Sequence, residues 1–85
     1  MDFEGKTIIV TGAGGGIGEA YAKASADRGM NVVIAELSES GGQRVAREIE
    51  AAGGRALFVK TDVSNEQAAC DCVAAAEKAF GSVNY

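Results

Sequence analysis

The stretch TGAGGGIGEA, from Thr11 to Ala20, carries five glycines in the seven positions from 12 to 18. Glycine loses more backbone freedom on folding than any other residue, so such a cluster needs a local reason. Before it runs KTIIVT (Lys6–Thr11), β-branched and mostly apolar, the pattern of a strand covered on both faces. After it, Ile17, Ala20, Tyr21 and Ala24 fall at the i, i+3, i+4, i+7 spacing of one helical face, and Gly29 is placed to end that helix. A glycine run between strand and helix lies where backbone N–H groups have no helical partner. With the helix dipole, those groups make a seat for a pyrophosphate. Side chains there would hold phosphates off the backbone and keep the helix from packing on the strand.

Outward from this point the chain alternates. NVVIAEL (Asn31–Leu37) is a second strand, and SESGGQRVAREIEAAGG a helix whose buried stripe would include Val45, Ile49 and Ala52, stopped by Gly53 and Gly54. RALFVKT (Arg55–Thr61) is a third strand. Ser64 and Gln67 have the S-x-x-Q spacing of a capping box and would open an alanine-rich helix to about Phe80, with Gly81 as its stop. SVNY, the last four residues, reads as the start of a fourth strand. This alternation predicts an α/β fold: a doubly wound parallel sheet of Rossmann type, of which the chain supplies the N-terminal β-α-β-α-β-α portion, with right-handed crossovers.

Composition narrows the function. A chain of 85 residues fits one small domain, and the 47% hydrophobic fraction supports a packed core. Eight basic against twelve acidic residues give a net charge of −4, which argues against a nucleic-acid surface. With no histidine, His-dependent catalysis and His-ligated metal are excluded within these residues. Cys70 and Cys72 form neither a zinc pattern nor a disulfide framework, and read as small apolar side chains of a reduced protein. No apolar run approaches the ~18 residues that span a bilayer, and Met1-Asp2-Phe3-Glu4 does not begin a secretory signal. The expectation is a cytoplasmic protein without a membrane partner.

The glycine spacing is specific. The register G-x-G-x-x-G fails, because its sixth position is Ile17 counted from Gly12 and Glu19 counted from Gly14. T-G-x-x-x-G-x-G fits through Thr11, Gly12, Gly16 and Gly18. In this the chain resembles the short-chain dehydrogenase/reductase family. The run also satisfies T-G-x-x-G-x-x-G through Gly12, Gly15 and Gly18, the pattern of the extended, sugar-nucleotide-modifying members; GGGIGEAYA and TDVSN favour the short type.

Glu36 ends the second strand eighteen residues past Gly18, where an acidic side chain is placed to accept hydrogen bonds from the adenosine ribose. The alternative is a solvated strand-end carboxylate. A 2′-phosphate beside it would be repelled, and Leu37, Ser38 and Gly15 stand where NADP-preferring relatives of the resembling family carry a basic residue, so the expected cofactor is NAD. The family more often has Asp at this place. The resemblance further implies that Asp62 accepts from the adenine amino group and that Val63 lies against the ring. From the residues alone, Asp62 is equally a turn residue ahead of Ser64. The expected cofactor set is Gly12, Gly16, Ile17 and Gly18 at the pyrophosphate, Glu36 and Leu37 at the ribose, and Asp62 and Val63 at the adenine.

The resembling family works with a Ser, a Tyr and a Lys in a Y-x-x-x-K arrangement, preceded by N-N-A-G on the fourth strand, and the 85 residues carry none of these. Tyr21 is followed four positions on by Ser25, and reads as a core-facing residue of the first helix. The family strand order 3-2-1-4 would leave KTIIVT an apolar edge without a fourth strand. The expectation is therefore the cofactor-binding N-terminal part of a larger enzyme, about the first third of a typical member. That enzyme would be an NAD-dependent oxidoreductase interconverting a secondary alcohol and a ketone, dimeric or tetrameric as a whole. The alternatives are a non-catalytic dinucleotide-binding module and an extended-type epimerase.

Overall fold

Val32, Val33 and Ile34 are consecutive, and all three are fully buried. Successive side chains of a strand point to opposite faces, so this burial requires cover on both sides of the sheet. The computed structural model describes residues 4–12, 16–62, 64–81 and 83. Its elements run β1 (Thr7–Thr11), α1 (Gly16–Asp27), β2 (Asn31–Glu36), α2 (Glu39–Ala51), β3 (Arg55–Lys60) and α3 (Glu66–Phe80). The strands lie parallel in the order β1-β2-β3, with Thr7 opposite Asn31 and Asn31 opposite Arg55.

Two cores result. On one face Ile8, Val10, Val32 and Ile34 pack with Ala22 of α1 and Val45, Ala46 and Ile49 of α2. On the other, Val33 and Ala35 pack with Cys72 and Ala76 of α3, joined by the half-buried Ile9, Leu57, Val59 and Phe80. Two helices above and one below make this the doubly wound α/β arrangement. Full burial of a Val or Ile side chain contributes about 1.5–3 kcal/mol, so the centre of β2 is the strongest local contribution to the sheet.

Helix ends follow the sequence signals closely. Gly29, at φ +83°, turns the chain from α1 into β2, and its N–H reaches the Ala26 carbonyl at 3.0 Å. The buried Ser25 hydroxyl donates to the Tyr21 carbonyl at 2.9 Å, which satisfies it within its own helix. α3 ends at Gly81, as expected.

Three packing expectations are corrected. The apolar stripe of α1 does not face the core: Ile17 is 91% exposed and Tyr21 60%, Ala20 and Ala24 are exposed, and the helix buries Ala22 and Ser25 instead. Small residues let α1 approach the sheet closely, while Ile17 and Tyr21 overhang Ile9 and Val10 on the open side of β1. Ala52 is exposed just past α2, whose buried stripe is Gly42, Val45, Ala46 and Ile49. The cap of α3 is Asn65, not Ser64: its side chain accepts from the N–H groups of Gln67 and Ala68 at 2.9 and 3.2 Å. Ser64 lies one residue earlier, in the turn before the helix, where its hydroxyl and N–H donate to Asp62. The expected fourth strand, SVNY, lies outside the described residues except for Val83, which packs against the second core.

Among the described glycines Gly42 is the most closely packed. A Cβ built on it would overlap the Phe58 ring and lie 3.3 Å from the Glu36 Cβ, so α2 rests directly on β2 and β3 there. Gly42→Ala is expected to cost about 1–3 kcal/mol in denaturant unfolding, as overpacking does, and Phe58→Leu in that background to recover part of the loss.

Candidate cofactor site

Parallel pairing brings the carboxyl ends of all three strands to one edge. Thr11 is opposite Ala35 and Glu36 opposite Lys60. The buried Thr61 extends this order, its N–H donating to the Glu36 carbonyl at 3.0 Å. Gly12, Glu36 and Asp62 therefore follow the ends of three adjacent strands, about 5 Å apart from strand to strand. In open α/β sheets this edge is where ligands bind.

Gly12 leaves β1 at φ +67°, a left-handed conformation that side chains rarely adopt. Gly16 opens α1, and a Cβ on either Gly12 or Gly16 would meet nothing within 4 Å. Close packing of helix on strand is thus not what requires these two glycines, contrary to one half of the sequence argument. Conformation accounts for Gly12, and open space over the helix start is what Gly16 leaves. Gly12, Ile17 and Gly18 line one recess along β1 with Ile9 and Val10. Ala13, Gly14 and Gly15 lie outside the described residues.

The Glu36 carboxylate turns onto the start of the next helix. Its Oε1 accepts from the N–H groups of Leu37 at 3.0 Å and Ser38 at 3.3 Å. Ser38 caps α2, accepting from Gly41 N–H at 3.4 Å, so the Glu36 charge also sits at the favourable end of a helix dipole. Leu37 is exposed beside it. At the third strand end, Asp62 Oδ1 accepts from the Ser64 hydroxyl at 2.6 Å and the Ser64 N–H at 3.0 Å. These bonds hold its carboxyl below the usual carboxylate range. Asp62 thus braces the turn ahead of α3 through Oδ1; Val63 lies outside the described residues.

A closed ring of charges behind the glycine turn escaped sequence reasoning. Lys23 Nζ contacts Glu19 Oε2 at 2.8 Å and Glu48 Oε1 at 2.5 Å, while Arg44 contacts Glu19 Oε1 at 2.6 Å and Glu48 Oε2 at 2.8 Å. The two halves are E-x-x-x-K and R-x-x-x-E pairs at i, i+4 spacing, a signal that was present; their meeting depends on how α1 lies on α2. Arg44 first, then Lys23, holds the Glu19 carboxyl down to about 2, and Glu48 is lowered by the same two cations.

Among the described residues no group of three or more His, Cys, Asp or Glu side chains could hold a metal, and no helix is long and apolar enough to cross a membrane. Cys70 and Cys72 are free thiols, the first exposed and the second buried.

This strand-edge arrangement defines the first half of a dinucleotide-type Rossmann fold. Residues 6–85 match the family model for short chain dehydrogenase, and the chain belongs to that family. It is 43% identical over 93% of its length to the 2,5-dichloro-2,5-cyclohexadiene-1,4-diol dehydrogenase LinX of Sphingobium indicum, covering 32% of that protein. It is 48% identical over 95% of its length to an L-rhamnose 1-dehydrogenase (NAD(P)(+)) of a Sphingomonas species, again covering 32%. In structure it is similar to a short chain dehydrogenase/reductase from Burkholderia phymatum in complex with NAD, with a TM-score of 0.95, 39% identity, and cover of 99% of this chain and 30% of that one. The chain thus spans about a third of the length of the relatives it matches.

Two outcomes are expected from the local chemistry. Glu19 and Glu48 have lowered folded-state pKa values, so their stabilisation is present above the ordinary 4.5 and is lost as pH falls from there toward about 2. In thermal melts the difference between the unaltered protein and Glu19→Gln should be largest near neutral pH and vanish by the acid end of that window. Asn65→Ala should cost about 1 kcal/mol in denaturant unfolding as a lost N-cap, and Ser64→Ala about half of that or less.

Proposed function

We propose that the chain is the dinucleotide-binding portion, residues 1–85, of a single-domain NAD-dependent oxidoreductase that interconverts a secondary alcohol and a ketone. One observation carries the reading. The left-handed turn at Gly12 leads to a helix start open above Gly16, and the adjacent strand ends in Glu36. An anion fits the first feature and a pair of vicinal hydroxyls the second, as in a pyrophosphate and a ribose. On this reading Gly12, Gly16, Ile17 and Gly18 hold the pyrophosphate, Glu36 and Leu37 the ribose, and Asp62 and Val63 the adenine. The cofactor, when bound, supplies or accepts the hydride. This chain's own residues bind and orient it, while the acid–base chemistry at the alcohol oxygen falls to residues elsewhere in the protein.

The choice of NAD rests on Glu36. One relative is named for use of NAD(P), so family membership does not decide the matter. A carboxylate accepts hydroxyl hydrogens but repels a 2′-phosphate, and no Lys or Arg stands among residues 36–42 to offset it. The two sequence relatives are named as dehydrogenases of a diol and of a sugar, which supports an alcohol substrate. A cytoplasmic dimer or tetramer belongs to the same reading.

Glu36→Ala tests it. NAD affinity should fall about 10–100-fold, the equivalent of one or two charge-assisted hydrogen bonds, while NADP affinity rises relative to NAD. Stability should change by only about 1 kcal/mol, through the lost bonds to Leu37 and Ser38. Titration with the reduced forms, NADH and NADPH, followed by the fluorescence of the dihydronicotinamide, measures both affinities. Unchanged NAD affinity, or tighter NADP than NAD binding by the unaltered protein, would overturn the assignment.

A further inference from the structure

The stretch of sequence proposed above as the pyrophosphate seat supplies no cation. Between Lys6 and Lys23 the sequence contains neither Lys nor Arg, and it does contain Glu19, one residue past Gly18 in the first turn of α1. A helix N-terminus offers roughly +0.5 of an elementary charge. A bare carboxylate within the same turn, about 5 Å along the axis, would outweigh it and oppose an anionic ligand. Glu19 is not bare. Both of its oxygens are occupied, Oε2 by Lys23 and Oε1 by Arg44, and its side chain is the least exposed of the four ring members at 24%. Lys23 and Arg44 are bound in turn to Glu48, so the ring closes with two acids and two bases. Its contacts run from α1 to α2.

Building on the reading of the glycine turn as a pyrophosphate seat, we propose that Lys23 and Arg44 are determinants of dinucleotide affinity that act through Glu19. By binding its carboxylate on both oxygens, they cancel the acidic charge in the first turn of α1. The helix N-terminus then keeps its positive field for the phosphates. The two cations touch no ligand and are positioning residues. The effect falls on the phosphates and not on the adenosine, and it weakens with salt. A ring that merely fastened α1 to α2 would affect both parts of the ligand alike and would need all four side chains.

The test uses the complete protein, with NAD and adenosine titrated separately at about 20 mM and about 1 M salt, where screening is weak and strong respectively. In Lys23→Met/Arg44→Met, the Kd for NAD should rise about tenfold at low salt and about twofold or less at high salt, with adenosine unaffected. Adding Glu19→Gln to that pair should restore NAD binding to within about twofold, although the ring is then gone. Glu19→Gln alone, which leaves both cations in place, should bind NAD at least as tightly as the unaltered protein. The inference is overturned if the triple variant stays as weak as the double, if adenosine binding falls with NAD binding, or if Glu19→Gln weakens NAD. An unaltered protein that binds no NAD overturns the reading of the seat and this inference with it. Normal NAD binding that is indifferent to the double variant overturns this inference alone.

Discussion

The structure depends on β2 being buried from both sides. Val32 and Ile34 face α1 and α2 while Val33 and Ala35 face α3, so neither helical layer is dispensable to the strand. Crossover connections are what deliver helices to both faces of a parallel sheet, and parallel strands are what make all carboxyl ends fall on one edge. The candidate site is therefore a by-product of how the core is covered. Gly12, Glu36 and Asp62 are far apart in sequence, yet share an edge because hydrophobic burial fixed the direction of three strands.

On that edge two carboxylates are settled by local donors before any ligand is considered. Glu36 takes the N–H groups of Leu37 and Ser38, and Asp62 takes the N–H and hydroxyl of Ser64. Each is thereby held in one orientation at the start of a helix, at little conformational cost on binding. The glycines divide the work differently. Gly12 supplies a backbone angle, Gly16 leaves space, and Gly42 permits contact of helix and sheet next to Glu36.

Much of this was legible in the sequence because apolar runs, caps and glycine stops are local. All six elements fall within a residue or two of their expected spans, and the distance from Gly18 to Glu36 alone placed an acid at the second strand end. What was not legible required knowing which surfaces meet. The stripe Ile17, Tyr21, Ala24 has helical spacing, but spacing cannot tell a face turned to the sheet from one turned past its edge strand. Ser64 and Asn65 are both good capping residues. The cap is Asn65, extended at φ −106° and ψ 116°, while Ser64 sits in the preceding turn and donates to Asp62. The contact of Gly42 with Phe58 and the joining of Glu19, Lys23, Arg44 and Glu48 depend on how α2 lies against its neighbours, which no single stretch of sequence encodes.

The pairing register carries one more consequence. Thr7 lies opposite Asn31 and Asn31 opposite Arg55, so both pairings join residues 24 positions apart. Each strand finds its partner in the strand made just before it, one helix earlier. Both pairings join consecutive strands, so no described strand has its only partner in a later, non-consecutive one. A pairing across 24 residues closes a short loop for a parallel sheet, so the entropy of bringing the two strands together is modest. The strand edge that carries Gly12, Glu36 and Asp62 thus rests on two loop closures of equal length, each spanning one helix.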